Sequence, residues 1–186
     1  MNAKRLAALG CLACLLIGPG GAALAQEDPG FMPKGGKTLL LQVLGNQPAE
    51  LRRIAGLTLS DAQWLAELAP HTGALSEREQ RTLAAYLAVN LPLEPALADQ
   101  AAQQAGWATA LPADGRDLAW NYCQFCHSLF TGYLTQERDV QAWRGEFEAP
   151  FHKELEMTAK QRETFARYSA VNMPMKVEDV PPDLRF

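Results

Sequence analysis

The chain contains two segments that match each other at a spacing of about 80 residues. Residues 36–39 (Gly-Lys-Thr-Leu) align with residues 115–118 (Gly-Arg-Asp-Leu), and the same offset of 79 places Trp64 on Trp143. A repeat of this kind constrains the fold strongly, because one structural unit has to suit both segments. We therefore predict two copies of one fold.

The match continues near the end of each copy. Residues 83–93 align with residues 165–175 at an offset of 82, and both stretches contain Ala-Val-Asn-x-Pro after a tyrosine. Three additional residues in the second copy explain the change of offset. Nearly the whole chain after the first 35 residues is thus covered by the repeat.

Both copies have the sequence pattern of helices. A hydroxyl residue followed three positions later by Gln or Glu is the signature of a capping box, and it occurs at 60–63, 76–79 and 158–161. Apolar residues with helical spacing follow the last two boxes. The apolar run 39–41 is compatible with a strand, but its match to the segment before residue 123 favours a helix. We predict an all-α fold.

Residues 123–127 read Cys-Gln-Phe-Cys-His, and C-x-x-C-H is the motif for attachment of a c-type haem. Two thiols on one helical turn can each add to a vinyl group of the porphyrin, and the adjacent imidazole can reach the iron. We therefore expect Cys123 and Cys126 to attach one haem c covalently. His127 is the predicted proximal iron ligand.

Two other interpretations of these five residues fit the sequence less well. Structural zinc normally needs four protein ligands, often two Cys pairs, and no second pair follows residue 25. A thioredoxin-like redox pair lies near a βαβ pattern, which this sequence lacks. Haem attachment is the leading interpretation.

The first copy lacks the motif. At the offset of 79, the two cysteines and the histidine fall on Leu44, Gln47 and Pro48, so we predict one haem per chain. The predicted organisation is a signal peptide at 1–25, a linker at 26–35, a haem-free domain at 36–94, a linker at 95–114 with a short helix at 96–104, a haem-binding domain at 115–179 and an extended tail at 180–186.

The N-terminal residues have the pattern of an export signal. Lys4 and Arg5 precede an apolar run at 6–17, and Ala23-Leu24-Ala25 is a small-x-small sequence, so we expect cleavage after Ala25. Cys11 and Cys14 would leave with this segment. Twelve apolar residues are few for a bilayer span, so no stable membrane anchor is expected. Because bacteria attach c-type haem outside the cytoplasm, we predict a periplasmic protein.

The charge of the chain restricts its partners. Removing Lys4 and Arg5 from the 17 basic residues leaves 15 against 21 acidic residues, which is a net charge of about −6. This balance argues against nucleic acid and anionic membranes as partners.

The chain resembles the class I cytochrome c family, and the resemblance covers each repeat. The resemblance rests on Gly115 eight residues before Cys123, the C-x-x-C-H motif, a middle helix around Trp143 and a last helix with Tyr168. It implies two tandem cytochrome c-like helical domains, and a contact between Gly115 and Tyr168 where the first and last helices cross. The spacing of Trp, His and the capped helix also resembles the haem-binding part of the quinohaemoprotein amine dehydrogenase alpha subunit.

The resemblance places the sixth iron ligand between the middle and last helices, at 148–157, which contains His152 and Met157. His152 is the leading candidate, because Met157 directly precedes a predicted helix cap. Met173 and Met175 are further alternatives, since a Met-Pro pair often marks an axial Met in this family, and an open position is another.

The function implied by this resemblance is single-electron transfer between redox proteins. The chain would act as a carrier or as the cytochrome subunit of a periplasmic dehydrogenase, and we expect no catalysis of its own. The alternative is a peroxidase-like haem enzyme or a gas sensor, both of which need a labile or open sixth position.

Overall fold

The computed structural model describes residues 30–104, 106–124 and 128–186, and within these ranges the chain forms helices and no strand. The prediction of an all-α fold is therefore confirmed. The ten α-helices of these ranges are α1 Gly36–Leu44, α2 Pro48–Ile54, α3 Asp61–Leu68, α4 Glu77–Asn90, α5 Pro95–Gln104, α6 Trp107–Ala110, α7 Gly115–Cys123, α8 Val140–Gly145, α9 Pro150–Lys153 and α10 Ala159–Asn172.

Shorter elements lie between and after these helices. A π-helix spans Phe130–Leu134, and 3-10 helices span Glu146–Glu148, Val177–Asp179 and Pro182–Leu184. In the described part of the chain, no helix is both long and apolar enough to cross a membrane. The predicted signal peptide at 1–25 lies outside the described residues, as do Cys126 and His127.

Equivalent helices appear in the two copies at the offsets read from the sequence. α1 corresponds to α7, α3 to α8 and α4 to α10. Two hydrophobic cores accompany them: the first core is built from buried residues between Leu39 and Leu111, and the second from Met32 and buried residues between Leu118 and Val180. The long helices α4 and α10 pack against each other and join the two cores.

All three predicted capping boxes are present. Ser60, Ser76 and Thr158 accept a hydrogen bond from the backbone three residues on, and the side chain of that residue accepts one from the cap's own N–H. These reciprocal bonds satisfy N–H groups that have no partner inside the helix. They fix the starts of α3, α4 and α10.

The first and last helices of each copy cross at a glycine and a tyrosine. A Cβ atom added to Gly115 would lie 2.0 Å from Cβ of Tyr168, and one added to Gly36 would lie 2.1 Å from Cβ of Tyr86. The predicted contact between Gly115 and Tyr168 is confirmed. Only a residue without a side chain allows the two backbones to come this close.

The interface between α4 and α10 has a pseudo-twofold pattern of hydrogen bonds. Asn90 donates through Nδ2 to Oγ1 of Thr164 at 3.0 Å, and Asn172 donates through Nδ2 to Oγ1 of Thr82 at 2.9 Å. Each asparagine also donates to the carbonyl four residues earlier in its own helix. The two copies therefore contact each other through the same polar groups in reciprocal roles.

The segment preceding each copy crosses to the other copy. Tyr86 donates its hydroxyl proton to the carbonyl of Pro112 at 2.8 Å, and Tyr168 donates to the carbonyl of Pro33 at 2.6 Å. Met32 is buried in the second core, and Leu111 in the first. The described parts of the segments predicted as linkers, 26–35 and 95–114, thus contribute to the packed structure.

The short helix predicted at 96–104 in the second of these segments is confirmed as α5, Pro95–Gln104, and α6 follows it. Ala98, Ala101 and Trp107 of these two helices are buried in the first core. The predicted tail at 180–186 likewise packs, since Val180 is buried in the second core. The small side chains of Ala98 and Ala101 carry little periodic signal, which explains why the sequence pattern did not reveal that this face of α5 is buried.

Asp114 links the starts of α1 and α7. Its side chain is fully buried, Oδ1 accepts from the N–H groups of Arg116 (3.1 Å) and Asp117 (3.2 Å), and Oδ2 accepts from Lys37 (3.1 Å) and Thr38 (3.5 Å). Burial raises the pKa of the Asp114 carboxyl, while its hydrogen bonds and the Arg116 guanidinium oppose that shift. One carboxylate therefore caps two helices.

The equivalent position in the first copy is Gly35. A Cβ atom there would lie 2.0 Å from the carboxylate of Asp114. Only one side chain therefore fits between the starts of α1 and α7, and it is that of Asp114 in the second copy.

We predict that Gly115→Ala destabilises the protein by about 2–3 kcal/mol, because the new methyl group forces α7 away from α10. Gly145→Ala is the matched control, since a Cβ atom at Gly145 meets nothing within 4 Å and alanine favours a helix. Urea unfolding followed by circular dichroism measures both. Equal stability of the two variants would contradict the proposed role of the Gly115 contact.

Candidate functional site

Helix α7 positions the first residue of the C-x-x-C-H motif. The helix begins after the Asp114 cap, buries Leu118, Ala119 and Trp120 against the second core, and ends at Cys123. Because both its start and its buried face are fixed, the location of the half-buried Cys123 side chain is determined by the helix. Cys126 and His127 belong to the part of the motif that the structure does not describe.

The π-helix Phe130–Leu134 follows the motif. The N–H of Thr135 donates to the carbonyl of Phe130 at 3.2 Å, which is the five-residue spacing of a π-helix. In the first copy the aligned segment is the regular helix α2, so this is a local difference between the copies. π-helical turns are rare and occur frequently at functional sites. No residue pattern in the sequence predicted it.

A cavity of about 330 Å³ lies beside Cys123. This volume is in the range typical of sites for small molecules and cofactors. Its walls come from the end of α7, the π-helix, the segment from α8 to α9 and the last helix. The lining residues are Tyr122, Cys123, Gly132, Tyr133, Trp143, Glu146, Phe147, Phe151, His152, Leu155 and Phe165.

Aromatic rings form one continuous wall of the cavity. The ring centres of Tyr133 and Trp143 are 5.3 Å apart, those of Tyr133 and Phe165 are 5.4 Å apart, and those of Phe147 and Phe165 are 5.5 Å apart. Such edge-to-face and tilted pairs stabilise a rigid apolar surface. The wall suits a flat, apolar ligand.

Tyr133 is the polar member of this wall. Its hydroxyl forms a 2.9 Å hydrogen bond with Oγ of Ser169, and burial raises the pKa of Tyr133 well above its usual value. The phenol is therefore neutral at physiological pH. It brings no charge into the cavity.

His152 lies in α9 and lines the cavity together with Cys123. Pro150 is the first residue of this one-turn helix, a position that proline favours. Nδ1 of His152 lies 2.9 Å from the backbone carbonyl oxygen of Glu146. A hydrogen bond from Nδ1 to a carbonyl fixes the tautomer and orientation of the ring, as is usual for histidines that bind metals.

The predicted methionine alternatives lie elsewhere. Met157 and Met173 are buried in the second core, and Met175 lines a separate surface groove beside Pro33 and Lys34. Among the four residues predicted as candidates for the sixth ligand, the structure brings His152 alone to the cavity that Cys123 borders.

The residues of the cavity fit a porphyrin. They supply an apolar aromatic surface, a cysteine at its edge and an imidazole. The indole N–H of Trp143 is buried without a hydrogen-bond acceptor among the described residues, so a bound molecule could provide one. Its counterpart Trp64 has the same feature, which therefore belongs to the repeat and does not by itself select a ligand.

The donor set in the described residues does not suggest a metal ion held by the protein alone. In ranges 30–104, 106–124 and 128–186, no group of three or more His, Cys, Asp or Glu side chains is arranged to hold a metal. A site built from Cys123 and His152 needs either the remaining motif residues or a macrocycle that supplies its own nitrogen ligands.

The equivalent place in the first copy is filled. Leu44, Leu68 and Leu83 align with Cys123, Phe147 and Phe165, and all three leucines are buried. The pocket next to Trp64 has no room for a water-sized molecule, since its accessible volume is about 0 Å³. The first copy thus combines the same helix arrangement with an aliphatic core that leaves no room for a cofactor at this place.

Comparison with family models, with curated proteins and with solved structures finds no match for this chain. The residues and geometry described above therefore carry the functional argument.

We predict that the two phenylalanines at 147 and 151 differ sharply in their contribution to stability. Phe147 is 6% exposed and packs on Phe165, so Phe147→Ala should cost about 3–5 kcal/mol. Phe151 is 83% exposed, and Phe151→Ala should change stability by no more than about 0.5 kcal/mol. Chemical denaturation of both variants measures the contrast. Similar losses would contradict the assignment of Phe147 to the fixed wall and Phe151 to the rim.

Proposed function

We propose that this chain is a periplasmic c-type cytochrome with one haem, which transfers single electrons as a carrier or as the cytochrome subunit of a periplasmic dehydrogenase. The observation that carries the proposal is the C-x-x-C-H motif whose first cysteine borders an aromatic cavity that also contains His152. Haem in this cavity would supply a one-electron couple at its iron.

Each group of residues has a distinct role in this proposal. Cys123 and Cys126 attach the macrocycle, and His127 binds the iron as proximal ligand. His152 provides the sixth ligand. The aromatic wall would shield a haem held in this cavity from water, and burial of this kind contributes to the reduction potential of a haem.

The tandem architecture is part of the proposal. The equivalent helices, the glycine–tyrosine crossings and the reciprocal asparagine bonds support two cytochrome c-like domains, at 36–94 and 115–179. The filled core of the first copy supports a stoichiometry of one haem per chain. The first copy would act as a structural partner, because the Asp114 cap ties α1 to α7.

The cellular context follows from the sequence. A signal peptide at 1–25, cleaved after Ala25, would deliver the chain to the compartment where haem c is attached. The partners are redox proteins: a periplasmic dehydrogenase, an electron acceptor, or both. A net charge of about −6 disfavours nucleic acid.

We predict that the chain, expressed with cytochrome c maturation machinery, carries one covalent haem. Cys123→Ser and Cys126→Ser should each reduce covalent attachment, because each thiol forms one of the two thioether bonds. Gln124→Ala, inside the same motif, is the matched control and should retain full attachment. Denaturing gel electrophoresis with haem staining shows covalent attachment, and a pyridine haemochrome assay measures the number of haems per chain. A chain without haem would refute the proposed function.

We further predict a low-spin optical spectrum that lacks the weak long-wavelength band of a ferric iron–sulfur bond. His152→Ala should convert the ferric protein to a high-spin form, whereas Met157→Leu, Met173→Leu and Met175→Leu should leave the spectrum unchanged. An iron–sulfur band would identify a methionine as the ligand. A high-spin wild-type spectrum would favour the haem enzyme or the gas sensor over electron transfer.

A further inference from the structure

Glu146 contacts the imidazole of His152 with two of its groups. The backbone carbonyl oxygen of Glu146 lies 2.9 Å from Nδ1, and the carboxylate oxygen Oε2 lies 3.6 Å from the same atom. Glu146 follows α8 directly and also lines the cavity. A single residue thus places a hydrogen-bond acceptor and a negative charge on the same side of the ring.

The carboxylate of Glu146 is itself held in place. Its other oxygen, Oε1, forms an ion pair with Arg138. The guanidinium of Arg138 lies 5.1 Å from the centre of the Trp143 ring, within the distance of a cation–π contact. The contacts therefore form a chain from the aromatic wall through Arg138 and Glu146 to His152.

The first copy lacks this arrangement even though it has a glutamate at the equivalent position. Glu67 aligns with Glu146 at the offset of 79, but its carboxylate pairs with Arg53 at 2.5 Å. Leu59 occupies the position of Arg138. The histidine of the first copy, His71, lies 3.8 Å from a different glutamate, Glu50, which pairs with Arg53. Among the described residues, the pairing of the aligned glutamate with a histidine therefore occurs only in the copy that carries the C-x-x-C-H motif.

We propose that Glu146 is a positioning residue for His152 and lowers the reduction potential of the haem. This inference rests on the proposed function. When Nδ1–H donates to an acceptor, the lone pair of a neutral imidazole is on Nε2, the atom that would bind iron. A negative charge beside Nδ1–H makes the imidazole a stronger electron donor, and stronger donation favours ferric over ferrous iron.

The test is the reduction potential of the haem-loaded protein, measured by spectroelectrochemical titration. Glu146→Gln keeps the backbone carbonyl and the size of the side chain but removes the charge, so the potential should shift to a more positive value. Glu148→Gln is the matched control: it removes the same charge two residues away, where the exposed carboxylate pairs with Lys153 at 3.4 Å. Its shift should be clearly smaller.

Electron paramagnetic resonance of the ferric proteins gives a second readout. Glu146→Gln should change the spread of the g-values, which reports ligand donation, while Glu148→Gln should not. If Glu146→Gln does not accumulate as folded protein, Glu146→Asp keeps the charge at a changed distance. The reduction potential of Glu146→Asp should be more positive than that of the wild type and of Glu148→Gln. It should be less positive than the potential expected for a protein without a charge at this position.

The outcomes separate this inference from the function on which it rests. Equal shifts for Glu146→Gln and Glu148→Gln, or unchanged g-values, would overturn the role of Glu146 and leave the cytochrome intact. A His152→Ala protein with an unchanged spectrum would do the same, because His152 would then not bind iron. A wild-type chain without haem would overturn the proposed function, and the role of Glu146 with it.

Discussion

The buried carboxylate of Asp114 is the interaction on which the arrangement of the two copies depends. Four backbone N–H groups from two helices converge on its two oxygens. A buried carboxylate is costly unless hydrogen bonds replace its hydration, and here the starts of α1 and α7 supply them together with the favourable ends of two helix dipoles. If the copies were separated, Asp114 would still cap α7, which follows it directly, but the N–H groups of Lys37 and Thr38 at the start of α1 would lose their acceptor. The start of α1 therefore depends on the second copy.

Helix α7 connects Asp114 to the candidate site. Asp114 fixes the first turn of this helix, the contact of Gly115 with Tyr168 fixes its distance from α10, and Cys123 is its last residue. Since α10 also supplies Phe165 to the cavity wall, the cysteine and the wall are positioned by the same pair of helices. The helices of the second copy thus position Cys123 and the cavity wall, and the first copy meets the start of α7 through the N–H groups of Lys37 and Thr38 that bind Asp114.

Much of this architecture could be predicted from the sequence because it rests on local or repeated signals. The capping boxes at Ser60, Ser76 and Thr158 are local, and the close crossing of Gly115 and Tyr168 is what the family resemblance implies. The packing of the segment before each copy against the other copy was not predictable in this way. The carbonyls of Pro33 and Pro112 are backbone groups, and a sequence pattern does not indicate which distant hydroxyl they accept from.

The candidate site also combines features that the sequence indicates with features that only the structure reveals. Cys123 is indicated by the chemistry of its motif and His152 by the loop in which the family resemblance places the sixth ligand, and the structure brings both to one cavity. The sequence does not indicate the π-helix or the contact of Glu146 with His152, since one depends on a backbone shift and the other on a carbonyl oxygen 2.9 Å from a ring nitrogen. Glutamates are common on helix surfaces, so only the three-dimensional arrangement distinguishes Glu146 from Glu148.

The difference between the two copies indicates how one helix arrangement can serve two purposes. Aligned positions carry leucines in the first copy and Cys123, Phe147 and Phe165 in the second, while the glycine–tyrosine crossings and asparagine bonds are the same in both. Flexible aliphatic side chains fill their own core completely, whereas rigid aromatic rings pack edge to face and leave a space beside the cysteine. The helix framework thus supports either core, and the choice of side chains at a few positions decides whether the core of a copy is filled or retains a cavity.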